Sequence, residues 1–270
     1  MSVCLPHVQR SWIGKAHLVS EVIEPRYYTP GTLHEDNGKT EPRSKTGDEW
    51  VLINGSPASC VQIGLYHFFQ NKGPIDLILS GPNYGRNTTA VFSLSSGTLG
   101  GALEGSACGR KSIALSYAFF SRIHDHSAIK EASVLSVKIV EHLMKNWSDG
   151  VDLYSINVPL QAGVSQKKIL YTNILQNQWT QASCFKRVPS QMKSWDPEQA
   201  EEKVRLGELQ HAYHAGTMVE SGQPAESERE GPAHQHHHFA WAPNFDEVWR
   251  TVEKSEPGND GWAIREGCTR

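Results

Sequence analysis

Three short stretches of this chain carry residue types that could bind or transform a phosphate. In the run NYGRN, Asn83, Gly85 and Asn87 fall at alternate positions, so the backbone can approach a ligand closely while the two amides coordinate it or hydrogen-bond to it. Further on, Ser95, Ser96, Gly97 and Thr98 open a glycine- and alanine-rich segment, Leu99 to Gly109, with the character of a tightly packed helix. A hydroxyl-rich helix start offers free N–H groups and the positive end of the helix dipole, which suits an anion. Near the N-terminus, Arg10, Ser11, Lys15 and His17 surround Trp12, Ile13 and Gly14; as a loop over a site they supply a hydroxyl ligand and cations. Ordinary glycine-rich turns and basic surface loops satisfy the same spacings, so spacing alone leaves both readings open.

The elements that must position these residues are legible from periodicity. The apolar run Ile75, Leu77, Ile78 and Leu79, bounded by Gly73-Pro74 and Gly81-Pro82, predicts a buried strand that delivers the Asn83 loop. Before it, Val3–Leu5 reads as a strand ended by Pro6, Leu18 to Tyr28 as an alternating strand, and Trp50 to Ile53 as a short strand. Ser56-Pro57 starts a helix whose apolar face runs through Cys60, Ile63, Leu65, Phe68 and Phe69. After it come a strand at Ser112 to Ser116, an amphipathic helix capped by Ser127 and carrying Ala132, Leu135, Ile139 and Leu143, and a strand at Val151 to Val158. Strands alternating with helices predict an α/β fold with a mainly parallel sheet covered on both faces and ligands at the carboxyl ends of strands. Residues 1–186 form the core in this reading, 187–238 a polar, mobile insertion, and 239–270 a C-terminal segment in which Trp241, Phe245, Val248 and Trp249 make a short apolar face and Trp262, Ala263 and Ile264 a strand. His234, His236, His237 and His238 invite a metal, but no Cys or carboxylate stands at a structural-site spacing.

Composition narrows the function classes. With 270 residues, 38% hydrophobic, the chain can bury one sizeable core. A net charge of −3 gives no general attraction to nucleic acid or to an anionic membrane. Five scattered cysteines fit reduced thiols and a cytoplasmic location better than a disulfide framework. No apolar run is long enough to span a bilayer, and the first residues do not form a signal peptide. A flavodoxin-like cofactor binder is disfavoured because no G-x-G-x-x-G follows a strand.

In order along the chain, Pro6 to Gly14, GSPASCV, ILSGPNYGRN, SSGTLGGALEG, ALS and YSINVPL closely resemble the SurE family of metal-dependent phosphatases and 5'/3'-nucleotidases. VQRSWIGKAH and FAWAPNF through GNDGWAIREG resemble its fungal branch, in which a SurE domain precedes a tubulin-tyrosine-ligase-like domain. The resemblance implies a three-layer α/β/α fold, hydrolysis of phosphate monoesters, nucleoside monophosphates foremost, and a divalent Mg2+ or Mn2+. It implies Ser11 and Asn83 as metal ligands, beside an Asp-Asp pair in an Asn-Asp-Asp-Gly motif that has no counterpart here, the chain starting after the first strand. Ser96, Gly97 and Thr98 would hold phosphoryl oxygens, Asn87 would orient phosphate or a metal-bound water, and Arg10, Lys15 and Gly85 would contact substrate. Homodimers built partly from C-terminal segments are also implied. The expectation is therefore a phosphatase with weakened metal binding; the alternative is a non-catalytic nucleotide-binding or interaction remnant.

Overall fold

Parallel strands with helices packed between them form the centre of the described chain. The structure is a computed structural model and describes residues 1–30, 49–119, 125–180, 183–188 and 238–270. Cys4–Pro6 (β1), Pro25–Tyr28 (β2) and Trp50–Ile53 (β3) form a sheet in the order β1-β3-β2, in which β3 runs parallel to β1 and antiparallel to β2. Pro57–Ile63 (α1) follows, with the Ser56 hydroxyl accepting the Ser59 N–H as N-cap and Pro57 in the first turn. Ile78–Tyr84 (β4) then leads through Thr89–Ser95 (α2) and Gly97–Ala107 (α3) to Ser112–Ala118 (β5). His126–Lys145 (α4) connects β5 to Leu153–Pro159 (β6), and β4-β5-β6 form a wholly parallel sheet. Phe185–Val188 (β7) pairs antiparallel with His238–Trp241 (β8), after which come Asp246–Glu253 (α5) and Asp260–Arg265 (α6).

The side-chain alternation of β5, buried along its whole length, shows how the layers are arranged. Ile113, Leu115 and Tyr117 point to the face where α4 lays down Ala132, Leu135, Ile139 and Leu143, with Ile156 and Val158 of β6 alongside. Burying each of those large aliphatic side chains contributes roughly 1.5–3 kcal/mol. Ser112, Ala114 and Ser116 point the other way, where small residues let α3 come close. A Cβ on Gly101 would stand 2.7 Å from the Ser80 hydroxyl, and one on Gly105 would collide with that of Ser112, so both glycines are required by contact. Helix on one face, sheet, helix on the other is the three-layer α/β/α architecture expected.

Several boundaries differ from expectation, for identifiable reasons. The strand expected from Ile75 begins at Ile78 and does not stop at Gly81-Pro82; the chain passes a cis peptide and a register shift there, then pairs Asn83 and Tyr84 with Ser116 and Tyr117. It is half-buried and not fully buried, because its hydrogen-bonded neighbour among the described residues is β5 alone. Leu18 to Tyr28 is a strand only in its last four residues, and Val19 and Val22 are 95% and 88% exposed. Alternation makes a strand only where a sheet face can bury it. The cap of α4 is Asp125 and not Ser127: its Oδ1 accepts from the N–H groups of Ser127 at 2.8 Å and Ala128 at 3.3 Å, and a carboxylate also favours the positive end of the dipole. Trp262 to Ile264 lie in a helix, α6, because Asn259 caps it by accepting the Trp262 N–H at 2.9 Å. Arg187, Val188 and His238, assigned to the polar insertion, stand in β7 and β8. His234, His236 and His237 and most of the expected insertion lie outside the described residues. Among the described residues no helix is long and apolar enough to cross a membrane, and the five cysteines are unpaired.

Candidate active site

The loop after β1, the loop after β4 and the start of α3 meet around a cavity of about 270 Å3. Its walls include Arg10, Ser11, Asn83, Gly85, Asn87, Ser96, Gly97 and Thr98. Eight of the nine residues singled out from the sequence thus line one pocket, at the carboxyl ends of parallel strands. Lys15 is the exception. Its ammonium lies 2.6 Å from Glu104 Oε2 on α3.

That ion pair belongs to a clamp that holds the first loop in place. Gly14, at φ +62°, donates its N–H to the Ser95 carbonyl at 2.8 Å, and a side chain on Gly100 would collide with the Gly14 carbonyl. The Ser56 hydroxyl donates to the Ala16 carbonyl, and His17 Nδ1 meets the Ser59 hydroxyl at 3.0 Å. Burial pushes the Glu104 carboxyl up, but hydrogen bonds from Gln62 and Lys15 and the nearby charges of Lys15 and His17 outweigh it and hold the group below the usual range. A carboxylate depressed in the folded state adds stability above its unfolded pKa of about 4.3 and loses it as pH falls through the folded value. Acid denaturation is therefore expected to show a Glu104 contribution that is full at neutral pH and fades below about pH 4. Stability measured against pH should lose that part of its acid limb in Glu104→Gln; an unchanged limb would refute the assignment.

The second loop is held from beneath by a buried polar network. Asn83 Nδ2 donates to the Gly85 carbonyl at 3.0 Å, which leaves its Oδ1 for a ligand. Asn87, buried, donates its N–H to Asn157 Oδ1 at 2.8 Å and its Nδ2 to the Ser116 hydroxyl at 2.7 Å. Its carbonyl accepts from Arg270 Nη2 at 2.7 Å. At the third wall, Ser96 Oγ is the N-cap of α3 and accepts from the Leu99 N–H at 3.1 Å. The N–H groups of Gly97 and Thr98 have no acceptor within the helix, so they and the Thr98 hydroxyl are the donors this helix start offers an anion.

Sequence reasoning missed Arg86. It lines the pocket with its guanidinium carbon 3.3 Å from the ring centroid of Trp249 and 5.8 Å from that of Phe92. A cation between Gly85 and Asn87 of the glycine loop was the available signal. Trp12, also on the wall and at φ +60°, sits among Phe92, Trp241 and Phe245 with ring centroids 5.4–5.7 Å away. These rings come from α2, β8 and the start of α5, so the C-terminal segment packs behind the wall at Trp12.

The donor set tests the implied metal. Ser11 and Asn83 offer neutral oxygens, no residue lining the pocket is Asp or Glu, and among the described residues no group of three or more His, Cys, Asp or Glu could hold a metal ion. A dehydration-resistant Mg2+ is usually bound through one or two carboxylates, so these residues do not by themselves make a resident divalent-metal site. Two guanidiniums, of Arg10 and Arg86, and the start of α3 line the pocket.

Fold and pocket together define an α/β protein with a pocket at the carboxyl ends of its parallel strands. The chain belongs to the SurE family: the model for survival protein SurE matches residues 1–181. It is 41% identical over 203 residues to a probable tubulin–tyrosine ligase, PBY1, of Saccharomyces cerevisiae, covering 66% of this chain and 27% of that one, which fits the fungal branch. It is 32% identical over 115 residues to a 5'-nucleotidase SurE of Methylobacterium sp., covering 43% of this chain and 45% of the relative. The chain thus spans less than half the length of either relative. The solved SurE protein from Aquifex aeolicus shares the fold, with a TM-score of 0.53 at 21% identity over 96% of this chain and 75% of that one.

Proposed function

We propose that this pocket binds phosphate monoesters, nucleoside 5'-monophosphates first among them, and that the chain is a SurE-type nucleotidase or phosphatase domain. The observation that supports it is the convergence of Ser11, Asn83, Asn87 and the Ser96-Gly97-Thr98 helix start on one cavity without an acidic wall. In this reading the N–H groups of Gly97 and Thr98 hold two phosphoryl oxygens, where fixed dipoles stabilise charge that grows as the ester bond breaks. Asn87 orients the phosphoryl group, its own position set by Asn157 and Ser116. Arg10 is aimed by the Asn54 side chain, and Gly85 lets the backbone approach. Hydrolysis in the family implies a divalent cation such as Mg2+ or Mn2+, for which Ser11 and Asn83 are the candidate ligands, and the carboxylates such an ion usually takes are not on the pocket wall. A cytoplasmic location and a homodimer belong to the same reading.

The second reading, a domain that binds nucleotides without hydrolysing them, is favoured by that lack of carboxylates. Both readings require the phosphate to be the recognised group. Titration calorimetry of the full chain with adenosine 5'-monophosphate and with adenosine is expected to show binding of the first and at least about a hundredfold weaker binding of the second, as for the loss of one or two charge-assisted contacts. Equal affinity for the two would overturn the proposal.

A further inference from the structure

The geometry points to Cys4 and Cys60 as an oxidisable thiol pair, which hydrogen peroxide joins into a disulfide that ties β1 to α1. The inference stands apart from the phosphate-ester reading and concerns the support beneath the pocket. Three observations carry it. Cys60, one turn into α1, is buried, while Cys4, at the start of β1, is half-buried and packs against it in the cluster that also holds Val51, Ile53 and Phe69. The strand comes this close because residue 64, four along from Cys60 and so on the same helix face, is glycine: a Cβ there would stand 3.4 Å from the Cβ of Cys4. The two thiols are hydrogen-bonded, and that bond, with burial behind it, pushes the Cys60 thiol up. Cys108 is engaged elsewhere, its sulfur accepting from Gln62 Nε2 at 3.4 Å.

The order of steps follows from exposure. Cys60 is buried and held protonated, so the first step falls to Cys4: its sulfur attacks one peroxide oxygen, the O–O bond breaks, and Cys4 becomes a sulfenic acid while the other oxygen leaves with the thiol proton as water. The Cys60 sulfur then attacks the Cys4 sulfur, the S–O bond breaks, and the hydroxyl leaves with the Cys60 proton as a second water. Peroxide takes up two electrons, and two thiols become one disulfide that a thiol reductant reopens. The bond has a structural consequence. β1 ends at Pro6 and runs into the loop that carries Arg10 and Ser11 to the pocket, and Pro57 of α1 stands on the same wall. Closing residues 4 to 60 into a loop restricts the unfolded chain, so oxidation secures the root of the first pocket loop.

The test treats the folded full chain with hydrogen peroxide, quenches it, unfolds it, alkylates the remaining thiols and maps the peptides by mass spectrometry, with and without a thiol reductant. A linked pair of peptides carrying Cys4 and Cys60, two hydrogens lighter than their sum and separated by the reductant, is expected. The melting temperature of the oxidised chain should lie roughly 5–10 °C above that of the reduced chain. Cys4→Ser, a change at the half-buried partner, should lose both the link and the rise, with circular dichroism establishing that the variant is folded; the peptide map of the parent decides the matter by itself if it is not. Cys4 carried on to sulfinic or sulfonic acid with Cys60 still alkylated, a link from either residue to Cys108, Cys184 or Cys268, or a Cys4–Cys60 link that forms only when peroxide is added in urea overturns the inference. A link that forms in the folded chain without raising the melting temperature overturns the claim that it secures β1 to α1.

Discussion

Given Mn2+ or Mg2+ and a nucleoside 5'-monophosphate, the 270-residue chain is expected to release phosphate at least about 100-fold more slowly than an N-terminally extended form carrying a strand that ends in Asn-Asp-Asp-Gly. The argument is chemical. The pocket presents Ser11 and Asn83 oxygens and no carboxylate, and neutral oxygens do not offset the cost of stripping water from Mg2+. Its place in the sheets is structural: β1 and β4 are each hydrogen-bonded on one side only among the described residues, so an added parallel strand has free N–H and C=O groups to pair with. Both edges end at the loops that form the pocket, which is where acidic residues closing such a strand would arrive. Release of phosphate from the nucleotide and from a chromogenic ester measures both forms, with Asn83→Ala in the extended form as control. Rapid turnover by the 270-residue chain, abolished by Asn83→Ala, would show that its present residues suffice and that the reasoning about carboxylates is wrong.

Asp260→Ala is expected to cost about 3–5 kcal/mol of folding stability, the penalty for leaving a buried charge without its partner. Asp260 is fully buried and accepts the N–H groups of Thr89 and Leu175, each at 2.8 Å, while Arg270 Nη2 lies 3.4 Å from its Oδ2. Burial pulls the Arg270 guanidinium below its usual pKa, and the Asp260 charge opposes that shift. Removing the carboxylate strands the guanidinium together with the buried Thr89 N–H and the part-buried Leu175 N–H. One of these opens α2, where Thr89 stands at φ +67°. Because Arg270 also donates to the Asn87 carbonyl, the damage should reach the pocket, so phosphate affinity should fall along with the melting temperature. Urea denaturation of Asp260→Ala, Arg270→Met and the double variant tests the coupling: the double variant should lose well under the sum of the singles. Additive losses, or a cost below about 1 kcal/mol for Asp260→Ala, would show that the pair is not the anchor described.

Local chemistry was enough to read much of this molecule. Ser56-Pro57 starts a helix and Trp50–Ile53 is a strand because caps, proline and β-branched runs act over a few residues. The face of Ala132, Leu135, Ile139 and Leu143 is buried as its spacing requires. Motif order along the chain was enough to point to the SurE family and to eight residues that share one pocket. Partners distant in sequence decided the rest. Lys15 looked like a substrate cation, but it faces Glu104, far along the chain on α3. Arg86 looked like a loop residue until the Trp249 ring arrived beneath it. Whether Leu18 to Tyr28 or Ile75 to Tyr84 are buried strands depends on which edges find neighbours, and Trp262 to Ile264 became a helix through its Asn259 cap and the buried Asp260 beside it. Hydrophobic period and capping are properties of a window of residues. Ion pairs, stacked cations and sheet edges depend on what the folded chain brings alongside, and no window contains that.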